Sequence, residues 1–119
     1  MAAPNIVAVT TITGKTVGGV LTTTSSDIVV NSTSSGKVLK INAIIVANID
    51  GSNATDVTVG FYDASATTTY RLAYTITIPA DASLDLLGKS IYLEEGDKIV
   101  ALASANSRAE IIVSYEDIS

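Results

Sequence analysis

Thr67-Thr-Thr-Tyr-Arg-Leu-Ala-Tyr-Thr-Ile-Thr-Ile78 is the most regular stretch of the chain. Tyr70, Leu72, Tyr74, Ile76 and Ile78 alternate with Arg71, Ala73, Thr75 and Thr77. In an extended backbone this puts one set on each face, and the β-branched and aromatic content suits a strand. Pro79-Ala-Asp-Ala-Ser83 ends the pattern with turn chemistry.

The same reading extends outward. Upstream, Val57, Val59 and Phe61 fall on one face, against Thr58, Gly60 and Tyr62. Lys37 to Ile49 is the longest apolar segment; its β-branched content and the flanking Gly36 and Asp50-Gly51 predict a strand covered on both faces. Downstream, Leu84 to Leu87 reads as a short strand or turn, followed by strands over Ser90–Leu93, Lys98–Ser104 and Ala109–Ile118. Near the N-terminus, Ile6–Thr13 reads as a strand, Gly14-Lys15 as a turn, and Thr16–Thr24 as a strand with a bulge or a close backbone approach at Gly18-Gly19. Asp27–Asn31 is a further short strand.

Turn signals every 8 to 12 residues or so, without a sustained helical period, predict an all-β fold. The expectation is one jelly-roll-like β-sandwich of about eight or nine short antiparallel strands, with a simple meander as the competitor. It would span residues 1–119, with a short extended N-terminal arm over about residues 1–5.

Composition excludes several function classes. The net charge is −5, and the 7 Lys and Arg residues are scattered, which argues against nucleic acid as a partner. No apolar run reaches the roughly 18 residues of a membrane-spanning helix. The start, Met1-Ala-Ala-Pro4, lacks the basic and apolar regions of a signal peptide, so synthesis in a cytoplasm is expected. There is no Cys for thiolate chemistry and no His to act as base or metal ligand. Charged residues make up only 16% of a Ser- and Thr-rich chain. Such a neutral polar surface can meet a protein neighbour at low desolvation cost.

Each candidate site has a plainer reading beside it. Asp50-Gly-Ser-Asn-Ala-Thr-Asp56 is the nearest approach to a calcium loop, but its glycine comes too early and no Glu closes the set; a turn is the better reading. Glu94-Glu-Gly-Asp97 clusters three carboxylates within one turn, unlike the cleft-flanking pair of a glycosidase. Lys15, Lys37, Lys89 and Lys98 lie beside turn signals, which disfavours a Ser–Lys dyad. No catalytic residue, metal or cofactor is expected. Two features suit subunit contact. Tyr70 and Tyr74, read as sharing a strand face, could anchor an interface, the alternative being the edge of the core. Ala2, Ala3, Pro4 and Asn5 form a segment that Pro4 keeps extended, able to add to a neighbour's sheet edge or simply to fray.

Val46-Ala-Asn-Ile-Asp-Gly51, Asp56-Val-Thr-Val59, Tyr74-Thr-Ile-Thr-Ile-Pro-Ala-Asp-Ala-Ser83 and Leu93-Glu-Glu-Gly-Asp97 together resemble a pattern in small all-β virion structural proteins of tailed bacteriophages, especially those of cyanobacteria and other aquatic hosts. The resemblance covers about residues 36–115 and is carried largely by turns. It implies a non-enzymatic role in the virion. The expected role is head decoration, or cement, bridging the major capsid protein and copies of itself as a trimer or dimer. The alternative is a neck, tail or fibre accessory, able to act as a host-surface binding module.

Overall fold

In a computed structural model the structure describes residues 11–119. The expected arm over residues 1–5, and most of the strand expected over Ile6–Thr13, lie outside the described residues. The described chain forms nine strands: β1 (Ile12–Val20), β2 (Ser26–Val30), β3 (Val38–Asn48), β4 (Thr55–Asp63), β5 (Thr68–Ile78), β6 (Ser83–Asp85), β7 (Ile91–Leu93), β8 (Lys98–Ala103) and β9 (Ala109–Ile118). Among the described residues no helix is long and apolar enough to cross a membrane.

The strands form two antiparallel sheets. One runs β1-β9-β3-β6, with β7 also paired to β3; the other runs β2-β8-β4-β5. β6 pairs the Ile45–Ala47 end of β3 and β7 its Leu39–Ile41 end, so these two short strands share one position in the sheet. The chain crosses repeatedly from one sheet to the other, and β1 to β4 alternate strictly between them, which excludes a simple meander.

The inner faces supply the core. Ile44 and Val46 from β3, Val57 and Val59 from β4, Ile99 from β8, and Ile111 and Val113 from β9 are fully or almost fully buried. Ala73, Ala101, Ala103 and Ala109 are buried among them, small side chains that let the facing elements approach. Each large aliphatic here contributes about 1.5–3 kcal/mol by leaving water.

Several local expectations need correction. Gly14-Lys15 is no turn: both residues lie inside β1, which pairs with β9 from Ile12 to Val20 without a register shift. Of the two readings of Gly18-Gly19 the bulge is therefore absent, and a Cβ on Gly18 would lie 3.6 Å from the Ile111 carbonyl oxygen, an ordinary contact that does not demand glycine; β1 stops at Val20 rather than Thr24. A turn dipeptide expresses only a local preference, and here the ladder to β9 overrides it. β3 is not covered on both faces. Ile41, Ile44 and Val46 are buried, whereas Asn42 and Ile45 are exposed. A register shift between Ile41 and Ala43 moves the buried set from odd to even positions, so an interrupted alternation looked like a continuous apolar run.

The turns that carry the sequence resemblance have a structural purpose. Asn48 is buried, and its Nδ2 donates to the carbonyls of Asn53 and Ile78, each at 2.9 Å. Its Oδ1 accepts from the Asp50 N–H, its backbone N–H donates to Ala82, and Asp81 N–H donates to the Asp50 carbonyl. The Ala-Asn-Ile-Asp-Gly and Ile-Pro-Ala-Asp-Ala segments thus clamp one another. Asn31 plays the corresponding part in another loop cluster. Its Nδ2 bonds the Lys37 and Leu93 carbonyls, and its backbone meets Gly96 and Asp97 of the Glu-Glu-Gly-Asp turn.

Candidate interaction surfaces

Each cluster of chemically capable side chains turns out to be occupied by structural work. Asp50 Oδ1 accepts from the Ser52 and Asn53 N–H groups, and Oδ2 meets the Asn53 side chain and, at 3.1 Å, Arg108 Nε. The Ser52 and Asn53 donors, assisted by Arg108, hold the Asp50 carboxyl below the usual carboxylate range. Asp56 instead accepts from Thr77 across the sheet. The stretch is an Asx turn, as its sequence suggested.

The Glu94–Asp97 carboxylates also diverge. Asp97 is buried and accepts from the Ala64 and Glu94 N–H groups, tying two loops together. Glu95 accepts from Gly36 N–H, and Gly96 sits at φ +91°, a conformation that favours glycine. Among the described residues there is no group of three or more Asp or Glu side chains placed to hold a metal.

Four of the five lysines are drawn to carboxylates rather than to hydroxyls. Lys15 and Lys37 both lie 3.1 Å from Asp117 Oδ2, Lys40 lies 3.8 Å from Glu116, and Lys98 lies 3.2 Å from Asp27. Burial alone pushes the Asp117 carboxyl up. The hydrogen bonds and charges of Lys37 and Lys15 together outweigh it and hold the group below its ordinary value.

The two tyrosines are exposed, Tyr70 by 54% and Tyr74 by 67%, so neither is buried at the edge of the core. Nor do they share a face. Tyr70 lies opposite Phe61, and Ala73 opposite Val59, on the core side of the sheet. Register shifts between β4 and β5 invert the alternation. Tyr74, next after Ala73, therefore points outward, where the Arg71 guanidinium lies 5.7 Å from its ring centre. Tyr70 instead lines a small apolar groove of about 180 Å³ with Phe61, Leu72, Ile91 and Tyr92, where β5 faces β7. Ala2, Ala3, Pro4 and Asn5 lie outside the described residues.

A surface missed in the sequence is β1 itself. Among the described residues it ends its sheet, and all its residues except Val17 are exposed. On the outer face beside it, Ile112 and Ile45 are 48% and 38% exposed and stand in register with Gly18. A period-2 reading across Gly14-Lys15 would have found this strand.

Comparison with known proteins places the fold. No family model and no curated protein matches the chain. Several solved structures are similar, among them the following two. One is of Bacillus endospore appendages, described as a family of disulfide-linked pili: 17% identity, 89% of this chain and 85% of that chain, TM-score 0.51. The other is the acid-stable capsid of Helicobacter pylori bacteriophage KHP30: 10% identity, 94% of this chain and 90% of that chain, TM-score 0.52. At these identities the likeness is one of fold.

Proposed function

We propose that this chain is a structural subunit of a bacteriophage particle, and specifically a head-decoration or cement protein that bridges neighbouring copies of the major capsid protein. The observation that best supports this is the near end-to-end likeness of the sandwich to a phage capsid chain. The spore-appendage likeness favours a shared architecture rather than a shared assembly chemistry, because this sequence has no cysteine with which to form a disulfide. The absence of His and the use of its carboxylates in turns and ion pairs agree with a non-catalytic role.

In this reading the mechanism is repetition. Each copy stabilises the head modestly, through apolar burial and strand addition by the Ala2–Asn5 arm, and many copies acting together resist internal pressure. Tyr70 and Tyr74 are the proposed contact residues; because they face different ways, they would meet two different neighbours. The Arg71–Tyr74 pair on the outer face favours a second reading, a neck, tail or fibre accessory that touches the host surface.

The test is reconstitution. Purified chain added to heads that lack it should co-sediment with them and raise their resistance to heat. Tyr70→Ala and Tyr74→Ala should each weaken both effects. Binding to isolated tails or host cells, with none to heads, would replace the first reading by the second.

A further inference from the structure

Among the described residues the four sheet edges are not alike. β2 has five residues and a register shift between Asp27 and Val29. β5 is long, but it carries register shifts against β4 and a residue, Thr75, at φ +47°. β6 and β7 have three residues each. Short length, bulges and kinks are the ordinary protections against unwanted strand pairing. β1 has none of them. It is nine residues long, pairs with β9 in unbroken register, and contains no proline. Its one charge, Lys15, is drawn to Asp117.

The direction of the backbone groups on β1 can be read from its ends. Thr11 and Ser119 exchange both N–H···O bonds, at 3.0 and 2.9 Å, and Leu21 N–H donates to Ala109 at 2.8 Å. In an antiparallel ladder the bonded positions alternate. The odd-numbered residues of β1 therefore bond to β9. Ile12, Gly14, Thr16, Gly18 and Val20 direct their N–H and C=O groups toward the far edge, where no described strand pairs with them. The same five side-chain positions lie on the outer face of the sheet, in register with exposed Ile112.

Along that face, the five residues are Ile-Gly-Thr-Gly-Val. The order is self-complementary. We propose that β1 pairs antiparallel with β1 of a second copy of this chain, about a two-fold axis at Thr16, joining two β1-β9-β3 sheets into one. The register sets Thr16 against Thr16, Gly14 against Gly18, and Ile12 against Val20. The last two are 57% and 50% exposed in the single chain and would cover each other. Alternation of the ladder allows about ten backbone hydrogen bonds across this edge. Thr–Thr and aliphatic pairs are favourable cross-strand neighbours. Lys15 falls opposite Val17 of the other copy, so like charges are not directly apposed and each ammonium keeps its Asp117. The inference stands apart from the virion reading: a chain with another role could dimerise in the same way.

The experiment uses the full chain. Sedimentation velocity should give a dimer, twice the 12.2 kDa chain mass. Thr16→Pro removes an N–H that points to the far edge and not to β9, so the far-UV spectrum should stay unchanged while the dimer is lost. Because the wild-type chain has no cysteine, Thr16→Cys gives a unique thiol. It should cross-link to its counterpart with a short bis-maleimide, whereas Thr68→Cys on the β5 edge should not. Should the proline variant fail to fold, the cross-linking arm still decides. A monomer or a trimer would overturn the proposal. So would a dimer that survives Thr16→Pro while the Thr16→Cys variant fails to cross-link.

Discussion

Replacing Asp117 by Asn tests the ion-pair cluster whose carboxylate is the most buried of those paired among the described residues. The Asp117 side chain is 10% exposed and receives Lys15 from β1 and Lys37 from the β2–β3 loop. Asn keeps the shape and one acceptor but removes the negative charge, leaving two lysines without their partner. Those lysines are 46% and 42% exposed and can turn to water, so the full penalty of a buried unpaired charge does not apply. What remains is the loss of two hydrogen bonds to a charged group, reduced by solvent screening, or about 1–2 kcal/mol in total. For a chain of this size that lowers the melting temperature by roughly 4–8 °C. The sign with pH follows from the lowered native pKa. The carboxylate's contribution is fully present above its unfolded pKa of about 3.9 and is lost as pH falls through the lower folded value. Thermal unfolding followed by circular dichroism should show the gap between wild type and Asp117→Asn at pH 7, and the gap should narrow as the pH is lowered below the unfolded value. A gap that does not narrow on acidification would mean that shape, not charge, sets the cost. No gap at pH 7 would mean that the contacts of Lys15 and Lys37 with Asp117 add nothing to stability.

Other substitutions probe other parts of the fold. Asn48→Ala orphans the Asn53 and Ile78 carbonyls and should cost about 2–4 kcal/mol in urea unfolding. Gly60→Ala would place a Cβ 2.6 Å from Thr69 Cγ2 and 3.3 Å from the Tyr70 carbonyl, and overpacking should cost about 1–3 kcal/mol in the same assay. Gly96→Ala forces a side chain onto φ +91°, with Ala64 Cβ 2.9 Å away, and should lose about 1–3 kcal/mol by denaturant titration. Ile44→Ala, at a fully buried position, should cost about 2–5 kcal/mol, read as a lower urea midpoint with unchanged slope.

Much of the sandwich was legible because its central strands are half-buried and carry their alternation openly. Val57, Val59 and Phe61 in β4, Ile99, Ala101 and Ala103 in β8, and Ile111 and Val113 in β9 all face inward as their spacing predicts. The turns were legible as well, since Asp50-Gly51 and Glu94–Asp97 use local hydrogen bonds that residue type nearly dictates. What escaped was everything set by pairing across the chain. The bulges that invert β3 and β5 depend on β9 and β4, and so the faces of Ile45 and Tyr74 could not be read from alternation alone. β1 was lost for the same reason: Gly14-Lys15 is extended only because residues about a hundred positions away hold it. Whether a strand lies at an edge is a property of topology, and that is why the position of β1 at an edge of the described sheet left only a faint trace in the sequence.

The measurement that bears most directly on the function is a cryo-electron microscopy map of the particle that contains this chain. A head-decoration role predicts density for the sandwich on the outer surface of the head, repeated at symmetry positions between major capsid subunits. Density for the chain in the tail alone would contradict it.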